Sequence, residues 1–391
     1  MEKSRQRLTM EHRSRKRNSY PARTINEHTY YDISNKNGNK KMKTPPPELK
    51  LEMILNRSAN NKYIFGTVVN IESGDDTFFW SASAGNVKAE NPYFIASTTK
   101  LYITALVLNL RADGRLRLED KISQYISKEI ISGIHVHSGI DHSYDITIGQ
   151  LMSHTSGLPD YFQQKRECGL SLQAELTAGH DQSWTSEKVI HDVKKMKPKF
   201  KPGTKGKALY SDTNYQLLGR IIEIIIGKKI GTVLKEFIFE PLQLKNTYLY
   251  KESNDTTPVS LYYKTHPLHI PLAMTSFGPD GGIVSTAKET MIFLRAFFNG
   301  QFFPREYLRE LFIWNKIFFP LEYGLGVARF KLPRIFSPFK PIPELIGHSG
   351  LSGAFAFYCP EKDLYLTGTV NQIAKPGLSY RLMIKLLNCF E

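Results

Sequence analysis

A chain of 391 residues, 41% hydrophobic and 23% charged, is long enough for one large domain or two interlocked ones with a substantial core. No apolar run approaches the roughly 18 residues that span a bilayer, which excludes a transmembrane helix, and the first residues lack an apolar secretory core. Three cysteines, Cys168, Cys359 and Cys389, have neither paired nor metal-site spacing and read as unbridged.

The net charge of +15 is uneven, with twelve Lys/Arg against four Asp/Glu in residues 1–47. Little apolar content and the stop Pro45-Pro46-Pro47 make this stretch a disordered basic tail, suited to nucleic acid, to an anionic membrane surface or simply to solvent. With no export signal the chain is cytoplasmic by default, and extracytoplasmic if the true start lies elsewhere. From Glu48 a short helix precedes two strand-like runs, Tyr63–Ile71 and Thr77–Ala84, joined through Ser73-Gly74-Asp75-Asp76 as a hairpin. Next comes an almost wholly apolar helix within Pro92–Gly114, then an amphipathic stretch, Arg115–Ile126. Helices dominate to about residue 320, the clearest being Asn214–Ile226, capped by Asp212 or Thr213 and stopped by Gly227. Strands return at Tyr323–Phe330, Leu345–His348, Ala354–Tyr358 and Leu364–Val370, and a helix over Ser379–Leu387 closes the chain. A lone hairpin is marginally stable, so early and late strands should complete one antiparallel sheet. The expected class is α+β. Residues 48–391 are expected to fold together, with a sheet subdomain from about 48–96 and 320–391 and a helical subdomain over about 97–319.

The apolar helix opens with Ser97 and Lys100. Side chains three positions apart share a helix face, which sets an amine beside a hydroxyl as base beside nucleophile. Burial in such a helix should lower the lysine pKa towards the range where a neutral amine accepts the serine proton. Two further S-x-x-K matches occur, Ser285/Lys288 and Ser337/Lys340. The first heads a half-exposed helix and the second lies in a loop, so Ser97 is preferred. Tyr210-Ser211-Asp212 precedes the Asn214 helix and offers a phenol for general acid–base work. Gly347-His348-Ser349-Gly350 closes a late strand; its glycines should let a substrate backbone approach a sheet edge, with His348 facing the cleft. There the N–H of Leu351 can join that of Ser97 as an oxyanion donor pair. His154 reads as a loop-holding residue. The cluster His135, His137, Asp141 and His142 lacks a matching downstream ligand set for zinc and reads as a polar surface loop.

In order and flanks, Ser97–Lys100, Tyr210–Asp212 and His348–Gly350 resemble the S-x-x-K, Y-x-N and H/K-x-G elements of the serine beta-lactamase-related hydrolases. These comprise class C beta-lactamases, D-alanyl-D-alanine carboxypeptidases, D-aminopeptidases and related esterases. Ile148–Tyr161, Tyr210–Gly219, Gly281–Ala287 and Tyr323–Gly326 are similar to that family's connecting segments, extending the resemblance over about 48–391. The resemblance implies a transpeptidase-like fold, an antiparallel sheet flanked by helices. It also implies a serine hydrolase acting through an acyl-enzyme, without metal or organic cofactor, on D-amino-acid peptides or small esters. Ser97 would be the nucleophile, Lys100 its base or relay, Tyr210 the partner in deacylation, and Asp212, His348, Gly350 and Leu351 would line the substrate. Asp212 stands where asparagine is common; it cannot donate to a substrate carbonyl and is left to pair with Lys100. His348 stands where beta-lactamases place lysine, so a permanent cation for a beta-lactam carboxylate is missing. Both departures favour a peptidase or esterase over a beta-lactamase. A penicillin-binding-protein-like sensor that acylates without turnover, or a degenerate hydrolase kept as a binding partner, is the rival reading.

Overall fold

The computed structural model describes residues 46–166, 169–336, 338 and 341–390. The basic stretch before them, Cys168, and the decoy pair Ser337/Lys340 lie outside the described residues. The organising element is an eight-stranded antiparallel sheet. Its strands are β1 (Gly66–Ser73), β2 (Phe79–Gly85), β3 (Asn315–Phe318), β4 (Leu321–Tyr323), β5 (Ala328–Phe330), β6 (Leu345–Ser349), β7 (Ala354–Cys359) and β8 (Leu364–Thr369), in the order β3-β4-β5-β6-β7-β8-β1-β2. The pairing of β1 with β8, from Val68 opposite Thr369 to Ser73 opposite Leu364, joins the early hairpin to the late strands. This is the closure expected from the sequence.

Alternating side chains of this sheet feed two cores, because successive residues of a strand point to opposite faces. Val69 and Ile71 of β1, Phe355 and Phe357 of β7, and Leu366 of β8 pack with Leu51 and Leu55 of α1 (Pro47–Ala59) and Leu382, Met383, Leu386 and Leu387 of a closing helix, Gly377–Leu387. Val68, Ala354 and Ala356 face the other way, into the larger core. There lie α2 (Thr99–Ala112), α3 (Asp212–Ile226) and α4 (Ala287–Phe298). Of the 14 residues of α2 only Asn109, Arg111 and Ala112 escape burial, which explains why its sequence shows no polar face. Gly227 ends α3 in the left-handed region at φ 76°, as its position predicts.

Two expectations differ from the structure. Tyr323–Phe330 is not one strand: Gly324 and Gly326 turn the chain between β4 and β5, Gly326 at φ 83° with its Cα against the Thr104 side chain, where a Cβ would collide. The strand bearing His348 is not an edge, because β6 is paired on one side with β5 and on the other with β7. The ladder to β5 ends at Gly347, and His348 and Ser349 are held by β7 alone, opposite Ala356 and Phe355.

The fit of α4 against α2 is tightest where the Phe293 ring stacks on Tyr102, centroids 3.5 Å apart and planes within 9°. Both are fully buried. Phe293→Ala should cost roughly 3–5 kcal/mol, the range for a buried aromatic whose site cannot collapse. Urea unfolding should show this as a lowered midpoint at unchanged slope; a loss below about 1 kcal/mol would mean the two helices close the void.

Candidate active site

Ser97 sits half-buried in a short 3-10 turn, Ala96–Thr98, that leads into α2. The residue before it, Ala96, is held at φ 46°, a conformation that costs a non-glycine residue free energy and persists only where neighbours enforce it. Two neighbours do so. Gly350, just past β6, packs directly on this segment: a Cβ there would strike the Ile95 carbonyl oxygen and stand 3.0 Å from the Ala96 side chain. From the other side the Ile95 N–H donates to the Ile283 carbonyl at 3.0 Å. Gly350 thus serves the approach of the nucleophile segment to the sheet, where the sequence pointed to approach by a substrate.

Lys100, in the first turn of α2, has no solvent exposure. Its Nζ donates to Ser97 Oγ at 3.2 Å and to the Asp280 carbonyl at 2.6 Å, and stands 2.6 Å from Asp212 Oδ1 in an ion pair. Tyr210 stands beside them, its ring centroid 5.2 Å from the ammonium. Ser97, Lys100, Tyr210 and Asp212 therefore meet at one point. Leu351 lines the same cleft as Ser97.

The ionisation state departs from the expectation. Burial does oppose the charge on Lys100, but Asp212, Tyr210 and Asp280 outweigh it and hold the pKa above the ordinary lysine value. The resting group is an ammonium that donates to Ser97, not a free amine. Reading a lowered pKa from the helix alone failed because the neutralising carboxylate arrives from α3. Tyr210 is also raised: burial and Asp212 favour the neutral phenol more strongly than Lys100 favours the phenolate.

His348 is placed behind this group and is absent from the cleft lining. Its Nδ1 donates to the Ser349 carbonyl at 2.8 Å, leaving Nε2 to accept from Tyr323 Oη at 3.1 Å. Burial, then the Lys100 charge, push its pKa down to about 3, so the ring is neutral. His154 is buried too, its Nδ1 accepting from the Ser211 N–H at 3.1 Å and from Asn214 Nδ2 at 2.9 Å. Its ring lies 4.4 Å from that of Tyr210. It holds the loop carrying the phenol, as its setting suggested. The decoy Ser285 is buried in the segment Ile283–Ser285, hydrogen-bonded to Thr247 at 2.8 Å, and Lys288 points to solvent. His135 Nε2 donates to the Phe200 carbonyl at 3.0 Å, a structural contact.

Two groups at the site escaped the sequence reading. Asp160 Oδ1 accepts the N–H groups of Phe162 at 3.1 Å and Asp212 at 3.2 Å, tying the loop before it to the head of α3. Asp280 Oδ2 accepts from Tyr161 Oη at 2.8 Å and Gln216 Nε2 at 3.0 Å. Burial, then the Asp212 charge, raise the pKa of both, that of Asp160 to about 8 and that of Asp280 well above the carboxylate range. One cation thus sits among three carboxyl groups, of which Asp212 is its direct partner. The available signals were Pro159-Asp160-Tyr161 and Pro279-Asp280-Gly281, each inside or beside a family-like segment.

Above Ser97 opens a cleft of about 640 Å³. Phe94, Phe162, Leu261, Ile270, Met274 and Phe277 supply much of its wall. Its ionisable lining groups are Asp212 and Asp280, and no lysine, arginine or histidine among the described residues lines it. The site thus combines a reachable hydroxyl, a charged amine and a phenol within proton-transfer reach, and an apolar wall.

An antiparallel sheet flanked by helices, with a serine and a lysine one turn apart at its seam, defines the serine-lysine class of penicillin-recognising folds. The chain belongs to the beta-lactamase family, which it matches over residues 65–379. Among relatives is a protein of Escherichia coli (strain K12) named provisionally as a D-alanyl-D-alanine carboxypeptidase, 29% identical over 180 residues, 43% of this chain and 38% of that one. The chain's matches to such curated relatives span between a third and a half of their length. Among solved structures, a D-stereospecific amidohydrolase from Streptomyces sp. superposes with TM-score 0.68 at 25% identity, covering 84% of this chain and 95% of that one. A D-amino acid amidase from Ochrobactrum anthropi SV3 shares the fold, with TM-score 0.72 at 19% identity over 88% and 98% of the two chains.

The raised pKa of Asp160 has a measurable consequence. Between the ordinary carboxyl value of about 3.9 and about 8, the native protein retains a proton that the unfolded chain has lost. The stability this carries is full below that window and is lost as pH rises through about 8. Asp160→Asn keeps the accepting oxygen and removes the ionisation. The melting temperature of the variant minus that of wild type should therefore grow from about pH 5 to about pH 9. A gap that stays flat or narrows would mean Asp160 is ionised in the native state.

Proposed function

We propose that this protein is a serine hydrolase that works through an acyl-enzyme on amides or esters of apolar D-amino acids. The observation that carries the reading is Ser97 Oγ, half-buried in the apolar cleft and 3.2 Å from the buried Lys100 ammonium. Ser97 attacks the acyl carbon. Its proton passes into the Tyr210–Lys100–Asp212 unit: as Lys100 releases a proton to Asp212 it can take up that of Ser97, and charge in the buried site is conserved. The same unit returns a proton to the leaving nitrogen or oxygen; in deacylation Tyr210 acts as a relay, passing its phenol proton to Lys100 as Lys100 passes one to Asp212, and taking one from the water that frees the acyl group. The amides of Ser97 and Leu351 receive the oxyanion.

The cleft supports an amidase or esterase over a beta-lactamase or carboxypeptidase. Both of the latter act on substrates with a carboxylate near the scissile bond, and no lysine, arginine or histidine among the described residues of the cleft wall stands ready to receive one. Neutral His348 cannot supply a cation. The D-configuration rests on the neighbouring folds, one named a D-stereospecific amidohydrolase and another a D-amino acid amidase. Asp212, His348 and Gly350 act on this reading as supports of the nucleophile group, Asp212 through Lys100, His348 behind Tyr210 and Gly350 against Ala96.

Intact mass after exposure to a fluorophosphonate should show one adduct on wild type and on Ser285→Ala, and none on Ser97→Ala. Hydrolysis of D-phenylalanine p-nitroanilide or its ester should fall about a thousandfold or more in Ser97→Ala. D-Phenylalanine amides should be turned over at least about tenfold more efficiently than dipeptides ending in a free D-alanine carboxylate. A preference for the free carboxylate would reverse the substrate assignment, and a single stoichiometric burst without turnover would make the protein an acylated sensor.

A further inference from the structure

Far along the sheet from Ser97, the outer strand β3 carries a second feature that the proposed reaction does not use. The turn Phe319-Pro320 joins β3 to β4, and the segment 331–336 leaves β5 beside it, the Lys331 N–H donating to the Pro320 carbonyl at 3.3 Å. Four large apolar side chains crowd these two segments in solvent: Phe318 is 57% exposed, Phe319 65%, Ile335 83% and Phe336 61%. The rings of Phe319 and Phe336 lie 5.3 Å apart, so the two segments form one patch. Exposed aromatic residues in such a group mark an interaction site.

The charge around the patch says what it meets. From Phe312 to Pro343 the sequence holds five Lys/Arg and one Glu. Glu322 pairs with Arg329, and Lys331 reaches Glu344 at 3.8 Å. Lys316 and Arg334 are exposed and join no ion pair among the described residues. Two copies meeting through this face would oppose like charges, and a protein strand would find a poor ladder. β3 has four residues and loses register between Lys316 and Phe318, a device that blunts sheet edges. Exposed phenylalanine and isoleucine, with the exposed Lys316 two residues before Phe318 and Arg334 next to Ile335, suit the headgroup region of an anionic bilayer, where apolar insertion and attraction to acidic lipid add.

We propose that Phe318, Phe319, Ile335 and Phe336, with Lys316 and Arg334, form a docking surface for an anionic lipid bilayer. It lies on the described domain and is independent of the basic residues that precede it. The test is co-sedimentation of the full chain with vesicles of phosphatidylcholine alone and of phosphatidylcholine mixed with phosphatidylglycerol, over a range of salt. Wild type should bind the mixed vesicles and hardly bind the neutral ones. Phe319→Ser with Phe336→Ser should weaken binding about tenfold while leaving its salt dependence, and Lys316→Glu with Arg334→Glu should weaken it similarly while flattening that dependence. Fluorophosphonate labelling of Ser97 and melting temperature report whether either variant remains folded, and the charge pair decides if the phenylalanine pair does not. Binding by both variants equal to wild type would assign the affinity to the N-terminal basic residues and overturn the proposal. So would absence of wild-type binding, or a phenylalanine variant that keeps vesicle binding but loses a concentration-dependent dimer in light scattering.

Discussion

The ion pair between Lys100 and Asp212, 2.6 Å apart and shielded from water, is the interaction on which the site depends. Two charges taken out of water are tolerated only with close geometry and further hydrogen bonds, and removing one partner of such a pair costs about 3–5 kcal/mol. Here the further bonds are the donations from Nζ to Ser97 and to the Asp280 carbonyl. They pull three separate pieces of chain onto one ammonium: the head of α2, the head of α3 and the turn at 278–280. The pair also settles the resting chemistry, because an ammonium facing Ser97 holds the hydroxyl in place until the proton network shifts.

The sheet contributes through close contact more than through reactive groups. Gly350 lets the turn after β6 press on Ile95 and Ala96, and Gly326 lets the β4–β5 turn press on Thr104 of α2. Thr104 Oγ1 in turn donates to the Lys100 carbonyl at 2.8 Å and lies 3.1 Å from the Gly326 carbonyl. Ser97 and Lys100 are thus clamped from the β-side at two points more than two helical turns apart. Each clamp needs a residue without a Cβ. Behind Tyr210, a run of hydrogen bonds leads from His348 through Tyr323 to Tyr215, each 3.1 Å long.

Much of this was legible in the amino-acid order because it is local. The apolar helix behind Ser97, the glycine stop at Gly227 and the alternation of β7 and β8 all follow from short-range periodicity, and they place Ser97, Lys100, Tyr210 and Asp212 near a common seam. What escaped depends on which remote groups meet. The charge of Lys100 could not be read from α2, since its neutralising carboxylate comes from α3. Asp160 and Asp280 look like loop aspartates, and only burial beside Asp212 turns them into protonated carboxyl groups. The four-residue β3 was hidden in a run rich in Phe and Ile whose apolar character suits strand or helix equally, and the β4–β5 hairpin was masked by strand-like residues on both sides of its glycines. His348 was expected in the cleft because sequence shows that a residue ends a strand, not which face of a twice-paired strand it occupies.

The central claim is that Lys100 rests as an ammonium held by Asp212. It is tested most directly by following the side-chain ¹⁵Nζ and ¹³Cε resonances of Lys100 in isotope-labelled protein as pH is raised, with Lys100→Arg to assign them. The account predicts charged-amine shifts that persist to at least about pH 10, the ordinary lysine range. A titration midpoint at or below about pH 8 would show a desolvated neutral amine as the resting base and would contradict the account.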